Sequence, residues 1–170
     1  SLNGNGHAVR CAALGQELCN RGWTTGTPTN PDVVIIDDPE NRDFPMYGRP
    51  RVVRVFDVPT NLPADIYIQG RDLIRPEFRD WKWVGKDAAW HVFDARFVNN
   101  HSAAYLAEAM SQATQCITWG GMRAMEAACV GVPSIVIPRN EGERLNAEFL
   151  EAGGKIDGWG CKRAADAIEA

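Results

Sequence analysis

A run of four β-branched residues, Val33 to Ile36, leads directly into Asp37 and Asp38. Continuous apolar runs of this kind are typical of strands that are buried on both faces of a parallel sheet. The alternation of such runs with segments of helical periodicity predicts an α/β protein with parallel strands rather than an antiparallel sandwich. Strands are expected at residues 33–37, 51–56, 65–69, 91–97, 116–118 and 133–137, and helices at residues 7–21, 101–112, 122–129 and 141–152.

A polar and aromatic segment, residues 71–83, lies between the two halves of the chain. We interpret it as the boundary between an N-terminal lobe, residues 1–83, and a C-terminal lobe, residues 84–170. The expected fold class is α/β, with two small Rossmann-like lobes that each contain a parallel sheet. One compact α/β domain is the alternative, because each half is close to the smallest chain that can form its own core.

Composition and charge exclude several classes of protein. The 170 residues include 18 Lys and Arg against 22 Asp and Glu, and neither half is basic, so we expect no nucleic-acid partner,. No apolar run approaches the ~20 residues of a membrane helix, and the first residues show no signal-peptide pattern. The five cysteines include no C-x-x-C pair. That spacing favours reduced thiols in a cytoplasmic protein over a metal site or a disulfide framework.

The first predicted helix opens on a glycine turn, Gly4-Asn5-Gly6-His7. Glycines let a ligand approach the backbone closely, and a helix N-terminus offers free N–H groups and positive potential. His7 would face the same ligand and could act as a base. On the spacing alone, a plain glycine turn followed by a histidine is the favoured explanation, because short glycine motifs are weak signals.

A second glycine turn, Gly120-Gly121, lies between a predicted strand and a predicted helix. It is a candidate anion site of the same kind. Glu126 follows early in that helix, where its carboxylate could accept hydrogen bonds from ribose hydroxyls. A solvated surface glutamate is the simpler explanation for Glu126 alone. Because each half has one such turn, we expect Gly6-His7 and Gly120-Gly121 to face one shared cleft.

Aspartates follow two of the predicted strands. Asp37 and Asp38 come at the end of one strand, and Asp57 follows the next. Sheets of α/β proteins bind ligands at the carboxyl ends of their strands, so these carboxylates are candidate ligand contacts. Aspartates at such positions also begin turns and cap helices.

The series of motifs resembles a known family. Residues 4–11, Gly-Asn-Gly-His-Ala-Val-Arg-Cys, resemble the G-x-G-H-x-x-R-C opening of the UDP-sugar hydrolases of pseudaminic acid biosynthesis, which belong to the GT-B nucleotide-sugar group. Residues 64–69 resemble that family's A-D-I-x-x-N-Q segment, and residues 73–78 its L-L-R-x-E-F segment. Residues 117–127, 131–133 and 146–147 resemble the donor-binding half of MurG-type N-acetylglucosaminyltransferases.

The resemblance implies a UDP-sugar bound between two Rossmann-like lobes, with no metal or other cofactor. UDP would be released by hydrolysis or by glycosyl transfer at the anomeric carbon. His7 would activate the water or the acceptor, Gly120 and Gly121 would face the pyrophosphate, and Glu126 would face the ribose. The other residues that the resemblance places at the substrate are Gly4, Gly6, Arg10, Asp38, Met122, Arg123, Asn140, Glu141 and Asn146.

The sequence also departs from the family pattern. Met122 stands where a small hydroxyl residue is usual, so Arg123 would have to supply the phosphate contact electrostatically. Glu141 stands where an amide is usual, and the segment between Trp83 and Tyr105 is shorter than the family's. These departures leave a second hypothesis open. The chain would then be a non-catalytic nucleotide-sugar binding module or one subunit of a split glycosyltransferase, acting as a homo-oligomer or with a partner subunit.

Overall fold

The computed structural model describes residues 6–27, 29–38, 40, 42–46, 48–82, 90–92 and 102–170, with residues 90–92 described by their backbone. The strands are β1 Val33–Asp37, β2 Arg51–Phe56, β3 Ile66–Gln69, β4 Trp90–Val92, β5 Gln115–Thr118 and β6 Ser134–Val136. The helices are α1 Gly6–Asn20, α2 Pro76–Asp80, α3 Ala103–Gln112, α4 Met122–Val130, α5 Glu141–Glu151 and α6 Gly160–Glu169, and a 3₁₀ turn spans Gly70–Asp72.

The strands form two small sheets in which all neighbours are parallel. The first sheet has the order β1-β2-β3, and the second has the order β4-β5-β6. In the second sheet, α3 connects β4 to β5 and α4 connects β5 to β6, which is the usual way to join parallel neighbours,. The prediction of an α/β protein with parallel strands is therefore confirmed.

The first core lies between the first sheet and two helices from opposite ends of the chain. Leu14 and Leu18 of α1 pack with Val53 of β2 and with Ile168 of α6, and all four are almost fully buried. Arg21, just after α1, forms ion pairs with two carboxylates of α6. The last helix therefore belongs to the core of the first half, whereas a boundary at residue 83 would assign it to the second.

The second core lies between the second sheet and helices α2, α3 and α4. Met110 of α3, Cys116 of β5 and Met125 of α4 are fully buried there. Residues 71–83, which we expected to be a connector, contribute to both cores. Leu73 is buried in the first core, and Phe78 of α2 is buried in the second. The segment therefore joins the two halves by packing.

Most sequence-based boundaries lie within two residues of the observed elements. The predicted strand 91–97 overlaps β4 at residues 91 and 92, and residues 93–97 lie outside the described part of the chain. Two helices, α2 and α6, were not predicted. Within the described ranges, no helix is both long and apolar enough to cross a membrane.

The packing of α6 gives a stability prediction. Replacing Ile168 by Ala removes a side chain that is 2% exposed in the first core. We expect the free energy of unfolding to fall by about 2–5 kcal/mol because a cavity forms between α6, α1 and the sheet. Urea denaturation would measure the change. The exposed control Lys155→Ala should change stability by less than ~0.5 kcal/mol, and a similarly small effect of Ile168→Ala would contradict the packing.

Candidate functional site

The carboxyl ends of the first three strands meet the N-terminus of α1. Asp37 ends β1, Asp57 follows β2, and Gly70 follows β3. The first turns of α1 place His7 and Arg10 against these strand ends. The local sequence explains the arrangement, because parallel strands put their carboxyl ends at one edge of the sheet and a polar residue after each apolar run lies at that edge.

Arg10 is the centre of this cluster. Its side chain is only 4% exposed, and its Nε and Nη2 atoms donate to the two carboxylate oxygens of Asp37, both at 2.5 Å. Its Nη1 atom donates to Oδ1 of Asp57. Burial opposes the charge, but the two carboxylates outweigh it and raise the pKa of Arg10 above its ordinary value,. The guanidinium therefore stays charged and cross-links α1 to β1 and to the end of β2.

Asp37 is held in its ionised form by the same contacts. Burial alone would raise the pKa of Asp37, but hydrogen bonds and charge from Arg10, together with His7, hold the pKa below its ordinary value. Asp37 is thus a permanent hydrogen-bond acceptor next to the ring of His7.

The hydrogen bond to Asp37 fixes the imidazole of His7. Nδ1 lies 2.7 Å from Oδ1 of Asp37 and 2.8 Å from Nη2 of Arg10. The two contacts require opposite tautomers, because an ionised carboxylate only accepts and a guanidinium only donates,. In the tautomer with the proton on Nδ1, the ring donates to Asp37. In the neutral ring, Nε2 is then unprotonated and has a free lone pair. The His7 side chain is 24% exposed, which leaves the ring accessible to a ligand.

Gly70 leaves room for the guanidinium of Arg10 between Asp37 and Asp57. A β-carbon at this position would lie 2.6 Å from the guanidinium carbon of Arg10 and 2.9 Å from Oδ1 of Asp57. Both distances are shorter than real side-chain contacts allow. The glycine after β3 is therefore a requirement of the buried ion pairs.

The second glycine turn is fixed by close packing against α5. Gly120 has φ +89°, and a β-carbon there would lie 2.7 Å from the carbonyl oxygen of Glu143. Asn146 donates from Nδ2 to the carbonyl oxygen of Gly120 at 2.9 Å. Only glycine satisfies both the left-handed backbone and the contact, and the N-termini of α4 and α5 are held side by side as a result.

The two halves of the chain meet at these turns. A β-carbon at Gly6 would lie 3.4 Å from Cγ of Met122, so the start of α1 contacts the start of α4. A β-carbon at Gly142 would lie 3.3 Å from Cβ of Asp57, so the start of α5 contacts the end of β2. The structure therefore places Gly6 next to Met122, the residue after the second glycine turn, whereas Gly4 and Asn5 lie outside the described residues and a shared cleft stays a prediction. We call this meeting point of the α1, α4 and α5 N-termini the junction.

The N-termini of three helices at one junction create positive potential. Each helix leaves its first N–H groups without intrahelical partners and carries about half a positive charge at that end. Such an end stabilises a neighbouring anion by about 0.3–1 kcal/mol when exposed. These helix ends favour an anion, whereas Asp57 and Glu143 already bring carboxylates to the α4 and α5 ends and Asn140 accepts from the N–H of Glu143.

Glu126 differs from the expectation that it faces a ligand. Its side chain is 1% exposed, and its Oε2 atom forms an ion pair with Nη1 of Arg123. Burial raises the pKa of Glu126, with Arg123 acting in the opposite direction. Its Oε1 atom, Nε1 of Trp119 and Oδ1 of Asn146 are the buried side-chain polar atoms without a hydrogen-bond partner among the described residues.

Three other candidate residues have local structural roles. Asn140 caps α5, because its Oδ1 accepts from the backbone N–H of Glu143 at 2.9 Å. Glu141 is exposed and forms an ion pair with Arg144. Asp38 accepts from the backbone and side chain of Arg42. None of these contacts involves His7, and Gly4 lies outside the described residues.

Of the three strand-end aspartates that were candidates, Asp37 and Asp57 contact α1, whereas Asp38, which we placed among the substrate contacts, pairs with Arg42. The alternation of side chains along a strand explains the difference. Asp37 is the last residue of β1 and points to α1, and the next residue points to the opposite face,.

A cavity of about 570 Å³ lies beside β1. Its wall includes the consecutive residues Val34 to Asp38, together with Phe44 and Met46 of the following loop. Consecutive strand residues point to opposite faces, so a cavity that touches all of them runs along the strand edge. His7 is not part of its lining, whereas Asp37, which contacts His7, is.

In the described part of the chain, no cluster of His, Cys, Asp and Glu side chains is arranged to hold a metal ion. At the strand ends, the guanidinium of Arg10 occupies the position between two carboxylates that a cation would otherwise take.

No protein-family model, curated protein or solved structure matches the chain.

The buried carboxylate of Glu126 gives a pH prediction. Between the ordinary glutamate pKa of about 4.3 and the raised pKa in the folded state, the folded protein binds more protons than the unfolded chain. The contribution of Glu126 to the free energy of unfolding therefore falls as pH rises. Glu126→Gln removes this dependence, so the stability of the variant relative to wild type should increase from about pH 4 towards neutral pH.

Urea denaturation across that pH range would measure the difference. Glu148→Gln is the matched control, because Glu148 is exposed on α5 and pairs with Arg144 at the surface. If the stability difference between Glu126→Gln and wild type stays constant with pH, the raised pKa of the buried Glu126 carboxyl is contradicted.

Proposed function

We propose that the chain binds a UDP-sugar at the junction and catalyses displacement at the anomeric carbon with release of UDP. The observation that supports this most strongly is the meeting of three helix N-termini beside a histidine whose Nδ1 contacts Asp37. When the ring proton is on Nδ1, Nε2 can act as a base. A diphosphate is an anion suited to such N-termini. A base next to it suits an attack on the carbon that carries the diphosphate.

His7 is the proposed general base. It would take a proton from the attacking hydroxyl at Nε2 while Asp37 accepts from Nδ1–H and keeps the ring in place. Asp37 and Asp57 carry two negative charges against the one positive charge of Arg10. That excess of negative charge would stabilise the imidazolium that forms as the proton is transferred. The leaving diphosphate would take the bonding electron pair at the helix N-termini.

The choice of uridine and of a nucleotide sugar depends on the sequence resemblance. The observed fold is compatible with it, because two parallel sheets are joined at the carboxyl ends of the first sheet and at the glycine turn after β5. We propose on these grounds that the halves correspond to two reduced Rossmann-like lobes of a GT-B-like protein.

A non-catalytic binding module is the second candidate, and Glu126 supports it. The carboxylate proposed for the ribose is paired with Arg123 and buried, so binding through it would require Arg123 to move away. The module would hold a nucleotide sugar without turning it over.

The variant His7→Asn separates the two candidates. Asparagine keeps a hydrogen-bonding group of similar size but cannot take the proton, and general base catalysis contributes 10²–10⁴-fold to rate. If the chain is an enzyme, UDP release should fall by about 10²–10⁴-fold while UDP affinity, measured by calorimetric titration, stays within about twofold of wild type. The control Gln16→Ala lies on the exposed side of α1 and should leave both quantities unchanged.

The wild-type protein gives the contrary outcomes directly. Binding of UDP-sugars without UDP release, with or without added acceptors, would favour the module. A folded protein with no affinity for any uridine nucleotide would exclude both candidates.

A further inference from the structure

One carboxylate oxygen of Asp57 lies near the imidazole ring of His7. Its Oδ1 accepts from Arg10, and its Oδ2 lies 4.0 Å from Nε2 of His7. The side chain is 31% exposed and lies against Gly142 at the start of α5. No hydrogen bond to Oδ2 exists among the described residues. Asp57 therefore faces the junction with an oxygen that is free to accept.

With the ring proton of His7 on Nδ1, Nε2 of His7 and Oδ2 of Asp57 are two acceptors 4.0 Å apart, a separation suited to one water molecule. A water between them would donate one hydrogen to each. With hydrogen bonds of about 2.8 Å, acceptors 4.0 Å apart subtend about 90° at the water oxygen, close to the angle between its two O–H bonds. The oxygen lone pairs then point away from both acceptors.

We infer that Asp57 is a second catalytic residue, which holds the attacking water together with His7, and that the reaction at this site is hydrolysis. The inference rests on the proposed function and decides between the two reactions that the proposed function leaves open. Arg10 supports it structurally, because it fixes Oδ1 of Asp57 and both oxygens of Asp37 in one rigid unit.

The step balances with water as the co-reactant. The water oxygen forms a bond to the anomeric carbon, and the bond from that carbon to the diphosphate oxygen breaks with its electron pair leaving on the diphosphate. One water proton moves to Nε2 of His7, while the other stays on the new sugar hydroxyl and is hydrogen-bonded to Oδ2 of Asp57. The proton on His7 is then released to solvent, and the products are a free sugar and UDP.

An alcohol cannot replace the water equally well. It has one O–H group, so it satisfies either His7 or Asp57 and leaves the other acceptor without a donor. An acceptor that is left without a hydrogen bond in a partly desolvated site raises the free energy of the bound state. The pair of acceptors therefore selects water over alcohols, whereas His7 alone would accept both.

The test is the competition between water and methanol with a UDP-sugar as substrate. The wild-type protein should prefer water over methanol by about tenfold per mole, the ratio expected from one lost hydrogen bond. In Asp57→Asn, the amide can keep a carbonyl oxygen towards Arg10 and put an NH₂ group, which cannot accept, in place of Oδ2. We expect hydrolysis to fall by about 10-fold or more and the ratio of methyl glycoside to free sugar to rise by a similar factor. The control Asp32→Asn, an exposed aspartate before β1, should change neither.

Each contrary result has a distinct meaning. If Asp57→Asn slows hydrolysis and methanolysis equally, Asp57 acts only by positioning Arg10 and the inference is overturned. If Asp57→Asn does not fold, the ratio of methyl glycoside to free sugar formed by the wild-type protein still decides. Methyl glycoside formed in proportion to the methanol present would overturn the inference. If the wild-type protein releases no UDP at all, the proposed function fails and the inference fails with it.

Discussion

Arg10 carries its positive charge into a place where only 4% of its side chain is exposed. A buried guanidinium is stable only when it is fully paired, and removing one partner of such a pair typically costs several kcal/mol. Asp37 and Asp57 supply the partners, and Gly70 supplies the space. These ion pairs, together with the packing of Leu14 and Leu18, set the position of α1 on the sheet and with it the position of His7.

The same ion pairs lie within the first half of the chain and position the residues that contact the second half. They hold Asp57 where the start of α5 contacts it, and they hold the start of α1 where Met122 contacts Gly6. Gly120 then lets α5 approach the turn before α4. Three helix N-termini are thus assembled by contacts between backbone and small residues, which leaves the polar groups of His7 and Asp57 for chemistry.

The sequence was most informative where periodicity decides structure. The apolar run before Asp37 and the glycines before α4 correctly predicted parallel strands and helix starts. It was least informative where distant segments meet. The pairing of α6 with α1 depends on small residues such as Ala165 that pack in any helix, and the burial of Glu126 depends on how α2 covers α4. The choice between Asp37 and Asp38 required the orientation of one strand relative to α1.

The tautomer of His7 is the most direct test of the account, because both the base and the water pair require an unprotonated Nε2. The chain has 3 histidines, so long-range proton–nitrogen correlation spectra, with His7→Asn for assignment, would identify the ring nitrogens of His7. The account predicts a neutral ring with the proton on Nδ1 at pH values where the imidazole is uncharged. A ring protonated at Nε2, with Nδ1 accepting from Arg10, would contradict it.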